Sequence, residues 1–279
     1  MNQPADFEQR WFSGQALYGD DFGPADIERW FADERDAYAQ LYGADPARHE
    51  YGYDALNRHH AYARLRPGRR FRHALGFGSN FGDELVPLLD GIDEVTLLDA
   101  SEQFVVQDLR GRPVRLVMAQ PSGHIDLPDA SVDLITCFGV LHHIPNVSTV
   151  LREFARVMAP GGVLLLREPT TTMGDWRRPR AGLTTRERGI PPALLTAQVQ
   201  QAGFELQRVS DCYFPPWVRL CLAVGLAPFK HAATTRIDAL LARATRSRHR
   251  YHRHSLASRF APASRFVLAV RPGSPGAVA

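Results

Sequence analysis

The sequence predicts an α/β protein built on a mostly parallel sheet with helices on both faces, and three observations carry that prediction. Five short apolar runs, "FRHALGF", "EVTLLD", "VRLVMA", "VDLITCF" and "GVLLLRE", alternate with segments of helical periodicity between residues 71 and 168. A glycine-rich turn, "GFGSNFG", joins the first run to the segment after it. Pro160-Gly161-Gly162 stops the most regular helical segment and turns the chain back into a strand.

In chain order, residues 1–70 are rich in aromatics and charges. "DIERWFADERDAYAQLYG" reads as an amphipathic helix, with Trp30, Phe31, Tyr38 and Leu41 near helical spacing. "EYGYDALNRHHAYARL" adds a second helix before Pro67-Gly68 breaks it. Together they form an N-terminal helical cap, either over a site or simply packed on the core. Residues 71–170 are the core, where "FGDELVPLLDG", "SEQFVVQDLRG" and "NVSTVLREFARVMA" are helices between the apolar runs. In the last of these Val147, Val150, Leu151, Phe154, Val157 and Met158 share one face, which is buried.

Residues 171–214 hold a polar loop, the helix "PPALLTAQVQQAG" and a sixth strand, "FELQRVSDCYF". Residues 215–263 are too many for a hairpin loop and form a helical, arginine-rich insert. Residues 264–279 carry the last strand, "SRFVLAVRP", and a frayed tail. That makes seven strands. In open sheets of this kind ligands bind beyond the carboxyl ends of the strands, near the point where strand order reverses.

Composition narrows the function classes. With 279 residues, 44% hydrophobic and 23% charged, the chain is expected to bury one large core. No apolar run is long enough for a transmembrane helix, and "MNQPADFEQRWF" lacks the basic start and apolar core of a signal peptide. Cys137, Cys212 and Cys221 are scattered, odd in number and without CxxC spacing, so a cytoplasmic location and no bound metal are expected. A net charge of +3 without a recognised nucleic-acid motif gives no case for nucleic acid. Lys230 is the only lysine, so the basic side is almost entirely arginine.

The glycine-rich stretch, "HALGFGSNFGDEL", suits a cofactor loop: its glycines let backbone approach a ligand, and a helix N-terminus follows. Its spacing misses the dinucleotide fingerprint, whose third glycine falls at Phe81. Asp99 ends the second run, where a carboxylate can accept from both ribose hydroxyls. Loop and aspartate fit an NAD-type or an adenosyl-type cofactor equally well. Residues 125–169 discriminate. Leu127-Pro128, Asp133, Val140-Leu141-His142-His143, Arg152-Glu153, Arg156-Val157 and Pro160-Gly161-Gly162 occur there in order. In these features the sequence resembles class I S-adenosylmethionine-dependent methyltransferases, in the branch acting on small molecules such as quinones, sterols and secondary metabolites.

The resemblance implies a Rossmann-like seven-stranded sheet with the last strand antiparallel, and S-adenosyl-L-methionine as cofactor. It implies that Gly76, Gly78 and Ser79 line the methionine end and that Asn80 also binds the cofactor. Asp99 holds the ribose with Ala100 and Ser101 beside it, His124 and Ile125 flank the adenine, and Phe138 and Gly139 face the sulfonium carbon. Two departures stand out: Ala74 replaces an acidic residue that helps to place the cofactor's ammonium group, and Ser122-Gly123 replace an acidic adenine contact.

Methyl transfer needs alignment, plus a base where the nucleophile is a hydroxyl. His142, His143 and Glu168 are the candidates for base and positioning roles, with His142 expected to face the cofactor. The histidines read equally as a packing and turn feature, and Glu168 as a partner for nearby arginines. Tyr53 and His59 in the cap, with Trp176, Arg177 and Arg180 in the loop, are the candidate substrate contacts, the arginines suiting an anionic acceptor. Seven arginines between Arg236 and Arg259 face one acid, Asp238, beside Ile237, Leu240 and Leu241. That segment suits an anionic membrane surface, a partner, or packing on the sheet edge.

The expected activity is methyl transfer to a hydroxyl of a small metabolite. The alternatives are a non-methylating cyclisation or rearrangement in the same cleft, and a non-catalytic cofactor-binding subunit.

Overall fold

The computed structural model describes residues 7–41, 50–102, 106–176, 178–253 and 255–273, with backbone only at 38–41. A five-residue π-helical turn, Glu8–Phe12, precedes α1 (Pro24–Leu41), α2 (Asp54–His60) and a 3-10 turn at Tyr62–Arg64. The core then runs β1 (Phe71–Phe77), a 3-10 helix Asp83–Gly91, β2 (Ile92–Asp99), β3 (Asp108–Leu109), β4 (Arg112–Met118) and β5 (Val132–Phe138). A 3-10 turn, Leu141–His143, leads into α3 (Val147–Val157) and β6 (Met158–Pro169). After a long loop come α4 (Pro192–Gln201), β7 (Glu205–Cys212), α5 (Pro215–Ala223), α6 (Ala232–Thr245), α7 (Leu256–Arg259) and β8 (Ser264–Val270).

The strands form one sheet in the order β3-β4-β2-β1-β5-β6-β8-β7. β1 pairs in parallel with β2 and β5, and β8 runs antiparallel between β6 and β7. Strand order reverses between β1 and β5, which puts the ligand crevice at their carboxyl ends.

The sheet has eight strands and not seven. The extra strand, β3, makes a two-residue antiparallel hairpin with β4, and Arg110 and Gly111 between them both take positive φ. Among the described residues of the "SEQFVVQDLRG" stretch only Glu102 is helical, with 3-10 geometry, and the end of the stretch is this hairpin; residues 103–105 lie outside the described residues. "FGDELVPLLDG" is a 3-10 helix, because Pro87 lacks an N–H and its ring crowds the carbonyl one turn back.

Alternation along the strands sorts the core into two layers. Leu75, Phe77, Ile135, Leu164 and Leu166 pack with Leu151 and Phe154 of α3 and Leu195 of α4. Ala74, Leu97, Leu134, Val163 and Leu165 face Leu85, Leu89, Leu56 and Val218 on the other side. Residues of the sequence motifs have structural duties here. Asp133 accepts the amides of Arg72 and His73, anchoring the start of β1 to β5. Trp11, Phe12, Trp176 and Tyr251 make a separate aromatic cluster that pins the N-terminal turn to the 171–190 loop.

Candidate functional site

The turn after β1 has the backbone freedom its sequence promises. A Cβ on Gly78 would overlap Val140, and one on Gly76 would overlap Ser79 and Leu97. Gly78 sits at φ 63°, and Asn80 follows at φ 48°, a left-handed conformation that asparagine tolerates better than most residues. Gly78 donates its amide to Leu98 O at 2.7 Å, tying the turn to β2.

A first cavity lies over the carboxyl ends of β1, β2 and β5. Gly78, Asn80, Asp99, Ala100, Ser101, His124 and Gly139 line it, roofed by Phe31 and Glu34 of α1. Asp99 accepts the amides of Asn80 and Ser101, each at 3.2 Å. Burial lifts its carboxyl above the usual range while those amides pull it back. Asn146 spans the neighbouring loop, donating to Pro121 O and Ser122 O.

Four of the expected cofactor residues lie elsewhere. Gly76 is inside β1, and Ile125 is fully buried. Ile125 donates its amide to Glu153, and Arg156 donates to its carbonyl, so α3 holds the segment that carries His124. Ser79 and Phe138 line a second cavity.

That second cavity, about 810 Å³, adjoins the first at Gly78, Asn80, Gly139 and His143, which line both. Its volume suits a small or medium metabolite. Tyr53, from the cap, lines it and stacks on Phe229 with ring centroids 5.9 Å apart.

The histidine pair divides differently from expectation. His143, not His142, faces both cavities, and His142 lines only the second. His142 is held between two carboxylates, with Nδ1 2.9 Å from Glu168 and Nε2 3.4 Å from Glu187. Burial opposes its charge, but the bonds and charges of both carboxylates prevail and raise it to about 9. It is therefore an imidazolium at neutral pH and cannot accept a proton. Burial likewise opposes the charge of Glu187, which the His142 contact brings down to about 2.

Glu168 is a correction as a candidate base. It is 0% exposed, absent from both cavity walls, and accepts the amides of Val140, Leu141 and His142 as well as the His142 ring. A carboxylate so fully used shapes the turn and does not reach substrate.

His143 donates through Nδ1 to Glu34 Oε2 at 2.7 Å, a tautomer that leaves the lone pair on Nε2. Burial, then the charge of His142, pushes its pKa down. Glu34 also accepts from Thr184 Oγ1 at 2.6 Å and the Arg186 amide at 3.0 Å, so its carboxylate is fixed from the 171–190 loop. His142, His143 and Glu187 bring one ligand atom each within 4.8 Å of one another. His142 meets Glu187 through Nε2 and Glu168 through Nδ1, so two of the three groups are joined directly as an ion pair.

Arg188 locks the turn that presents both histidines. Fully buried, it donates to the carbonyls of Tyr18, Leu141, His142, Ile144 and Pro145.

The remaining candidates for substrate contact take other places. Trp176 is 8% exposed, donates to Thr172 O and packs edge-on against Phe12. It anchors the loop and lines neither cavity. Arg180 donates to Thr184 O and Thr185 O and lines neither cavity. His59 is half-buried on α2, away from both walls. Arg177 lies outside the described residues.

Residues missed by sequence reading complete the site. Glu84 is buried with Oε1 3.2 Å from Thr136 Oγ1 and lines the second cavity beside Ser79. Thr136 pairs with Gly76 and points to the same face of the sheet as Ala74. A carboxyl of the 3-10 helix therefore lies against the Thr136 side of the sheet, the side of Ala74, and burial raises it to about 7. Glu34, Glu187 and Arg167 complete the walls. The open crevice, the ribose-side carboxylate of Asp99 and the carboxyl of Glu84 fit a cofactor with adenosine at one end and an amino acid at the other.

Comparisons with known proteins agree. The family described as "Methyltransferase domain" matches residues 75–166. A ubiquinone biosynthesis O-methyltransferase of Xanthomonas axonopodis pv. citri (strain 306) is 27% identical over 143 residues, covering 47% of this chain and 57% of the relative. A probable S-adenosylmethionine-dependent methyltransferase of Mycolicibacterium smegmatis (strain ATCC 700084 / mc(2)155) is 33% identical over 135 residues, covering 47% and 51%. The match spans about half the length of these curated relatives. The crystal structure of an S-adenosylmethionine-dependent methyltransferase from Mesorhizobium loti shares the fold, with a TM-score of 0.51 and 17% identity, covering 75% of this chain and 95% of that one. Through residues 75–166, the part of the chain that surrounds this crevice, the protein carries a match to the methyltransferase domain and is similar to S-adenosylmethionine-dependent methyltransferases.

Proposed function

We propose that the chain methylates a hydroxyl of a small-molecule metabolite held in the second cavity, with His143 as general base. The observation that carries this reading is the position of His143 on the seam of the two cavities, oriented by Glu34. When bound, S-adenosylmethionine supplies an electrophilic methyl group on a sulfonium. Asp99 would accept from its ribose, Ser101 and His124 would flank its adenosine, and Glu84 would receive its ammonium in place of a carboxylate at Ala74.

The lowered pKa of His143 keeps the imidazole neutral near pH 7, with a lone pair to take the proton of the acceptor hydroxyl. Glu34 accepts from Nδ1 and stabilises the imidazolium that results. His142, already cationic, holds Glu187 against the turn and lowers the affinity of His143 for a second proton.

The test is calorimetry with the demethylated cofactor, S-adenosylhomocysteine, followed by assay with methyl-labelled cofactor against a panel of hydroxylated acceptors. Binding with label in the product supports the reading; product lacking label favours the cyclisation alternative, and no binding ends both. In the same titration Glu84→Gln should weaken S-adenosylhomocysteine about tenfold, the cost of one charge-assisted contact.

A further inference from the structure

Two buried arginines stand beside this site, and only one is satisfied by the protein. Arg188 donates to five backbone carbonyls. Arg167, 8% exposed near the end of β6, donates no side-chain hydrogen bond and meets no carboxylate within salt-bridge distance among the described residues. Its Nη1 is buried without a partner.

The guanidinium lies 4.1 Å over the Tyr53 ring, 5.7 Å from Phe138 and 5.8 Å from Phe266. Nη2 comes within 3.7 Å of the position a Cβ would take on Gly139, one of the four residues that line both cavities. Arg167 itself lines the second cavity. Glu168, its neighbour in sequence, points to the other face of the sheet and is used up by the 140–142 turn.

A cation taken out of water must recover its hydration from partners. Aromatic faces return part of it. They leave the in-plane N–H groups of the fork unserved, and a planar carboxylate matches those groups in pairs.

We propose that Arg167 is the anion receptor of the acceptor cavity, and that the acceptor is a hydroxyaryl carboxylic acid. Its carboxylate docks on the guanidinium, its ring lies among Tyr53, Phe138 and Tyr213, and its hydroxyl points back towards Gly139 and His143. This deepens the methyl-transfer reading and rests on it. It also moves the anion contact from the loop arginines, where the sequence suggests it, to a strand end. The same chemistry could serve the carboxylate of the cofactor's own amino-acid end, and the test separates the two.

The full chain is first titrated with S-adenosylhomocysteine, then, saturated with it, with 4-hydroxybenzoate and with the methyl ester of that acid. The acid is expected to bind at least tenfold tighter than the ester. In Arg167→Gln that advantage should shrink to within twofold while S-adenosylhomocysteine affinity stays within twofold of the parent. Arg167→Lys, which keeps the charge and loses the fork, should retain part of the advantage. Should Arg167→Gln fail to fold, the acid-ester comparison on the parent protein and the lysine variant still decide. Equal binding of acid and ester, binding of neither, or an advantage that survives in Arg167→Gln overturns the proposal. So does a tenfold loss of S-adenosylhomocysteine in that variant, which would assign the fork to the cofactor. Failure of the parent protein to bind S-adenosylhomocysteine overturns the methyl-transfer reading itself.

Discussion

Neighbouring histidines carry opposite charge states here because their partners differ. His143 is bonded to Glu34 and lies beside the positive charge of His142, whereas His142 is bonded to both Glu168 and Glu187. If His143 is the base, kcat/KM should rise with pH along an acid limb whose midpoint lies below 6.5. His143→Ala should remove that limb and slow turnover by about 10²- to 10⁴-fold, the usual contribution of a general base. Glu34→Gln should shift the limb without erasing it, since the imidazole remains. A limb unchanged in His143→Ala would assign the proton to another group. The alkaline side belongs to His142. Its folded pKa is raised, so its ion pairs stabilise fully below pH 6.5 and are lost as pH rises through about 9. Thermal stability should therefore fall across that window, and His142→Gln should flatten the fall.

At the level of elements, the turn Val140–Pro145 is held from three sides: Glu168 takes its amides, Arg188 its carbonyls, and Trp30 donates to His143 O at 2.7 Å. Arg188→Ala would strand several buried carbonyls and open a guanidinium-sized void. A loss of about 3–5 kcal/mol is expected, by analogy with breaking a buried polar network. Urea unfolding measures it, and a loss under about 1 kcal/mol would mean that water replaces the arginine. These supports also explain what the sequence reveals. Gly78, Asn80 and Asp99 are legible because each acts through local backbone geometry at a strand end. Glu153 and Arg156 are legible as part of a helix motif, and their bonds to residues 125–129 give it a purpose. Glu34 and Arg167 are not legible, because their roles arise from the meeting of distant elements; Glu34 reaches His143 across 109 positions and Thr184 across 150. Trp176 and Arg180 mislead for the complementary reason: a polar loop looks like a source of substrate contacts until the aromatic cluster beneath it is visible. Pro87 is the one local signal that redirects an element, turning an expected α-helix into a 3-10 helix.

Across the whole molecule, the arginine-rich segment ends as a two-sided structure. Its lone acid, Asp238, is buried and accepts the amides of Tyr213 and Phe214, so one side of α6 is bolted to the end of β7. The other side is left with Leu220, Leu222, Val224 and Leu226 of α5 and its following turn, and Ile237 and Leu240 of α6, all exposed. Arg219, Arg236, Arg243, Arg246 and Arg248 are exposed among them. No helix among the described residues is long and apolar enough to cross a membrane. Exposed leucines flanked by arginines suit the interface of an anionic bilayer, where each basic residue contributes about 1 kcal/mol and the apolar chains enter the headgroup boundary. Leu222 and Arg219 also line the second cavity, so contact there would bring the cavity mouth to the lipid surface. Vesicles of phosphatidylglycerol and phosphatidylcholine should pellet the protein at low salt, and less of it as the anionic fraction falls or salt rises. Leu220→Ser combined with Leu240→Ser should weaken pelleting while S-adenosylhomocysteine affinity is unchanged, since neither leucine touches either cavity. Pelleting that ignores salt, or that survives the double substitution, would place the lipid contact elsewhere on the molecule or leave this face to a protein partner.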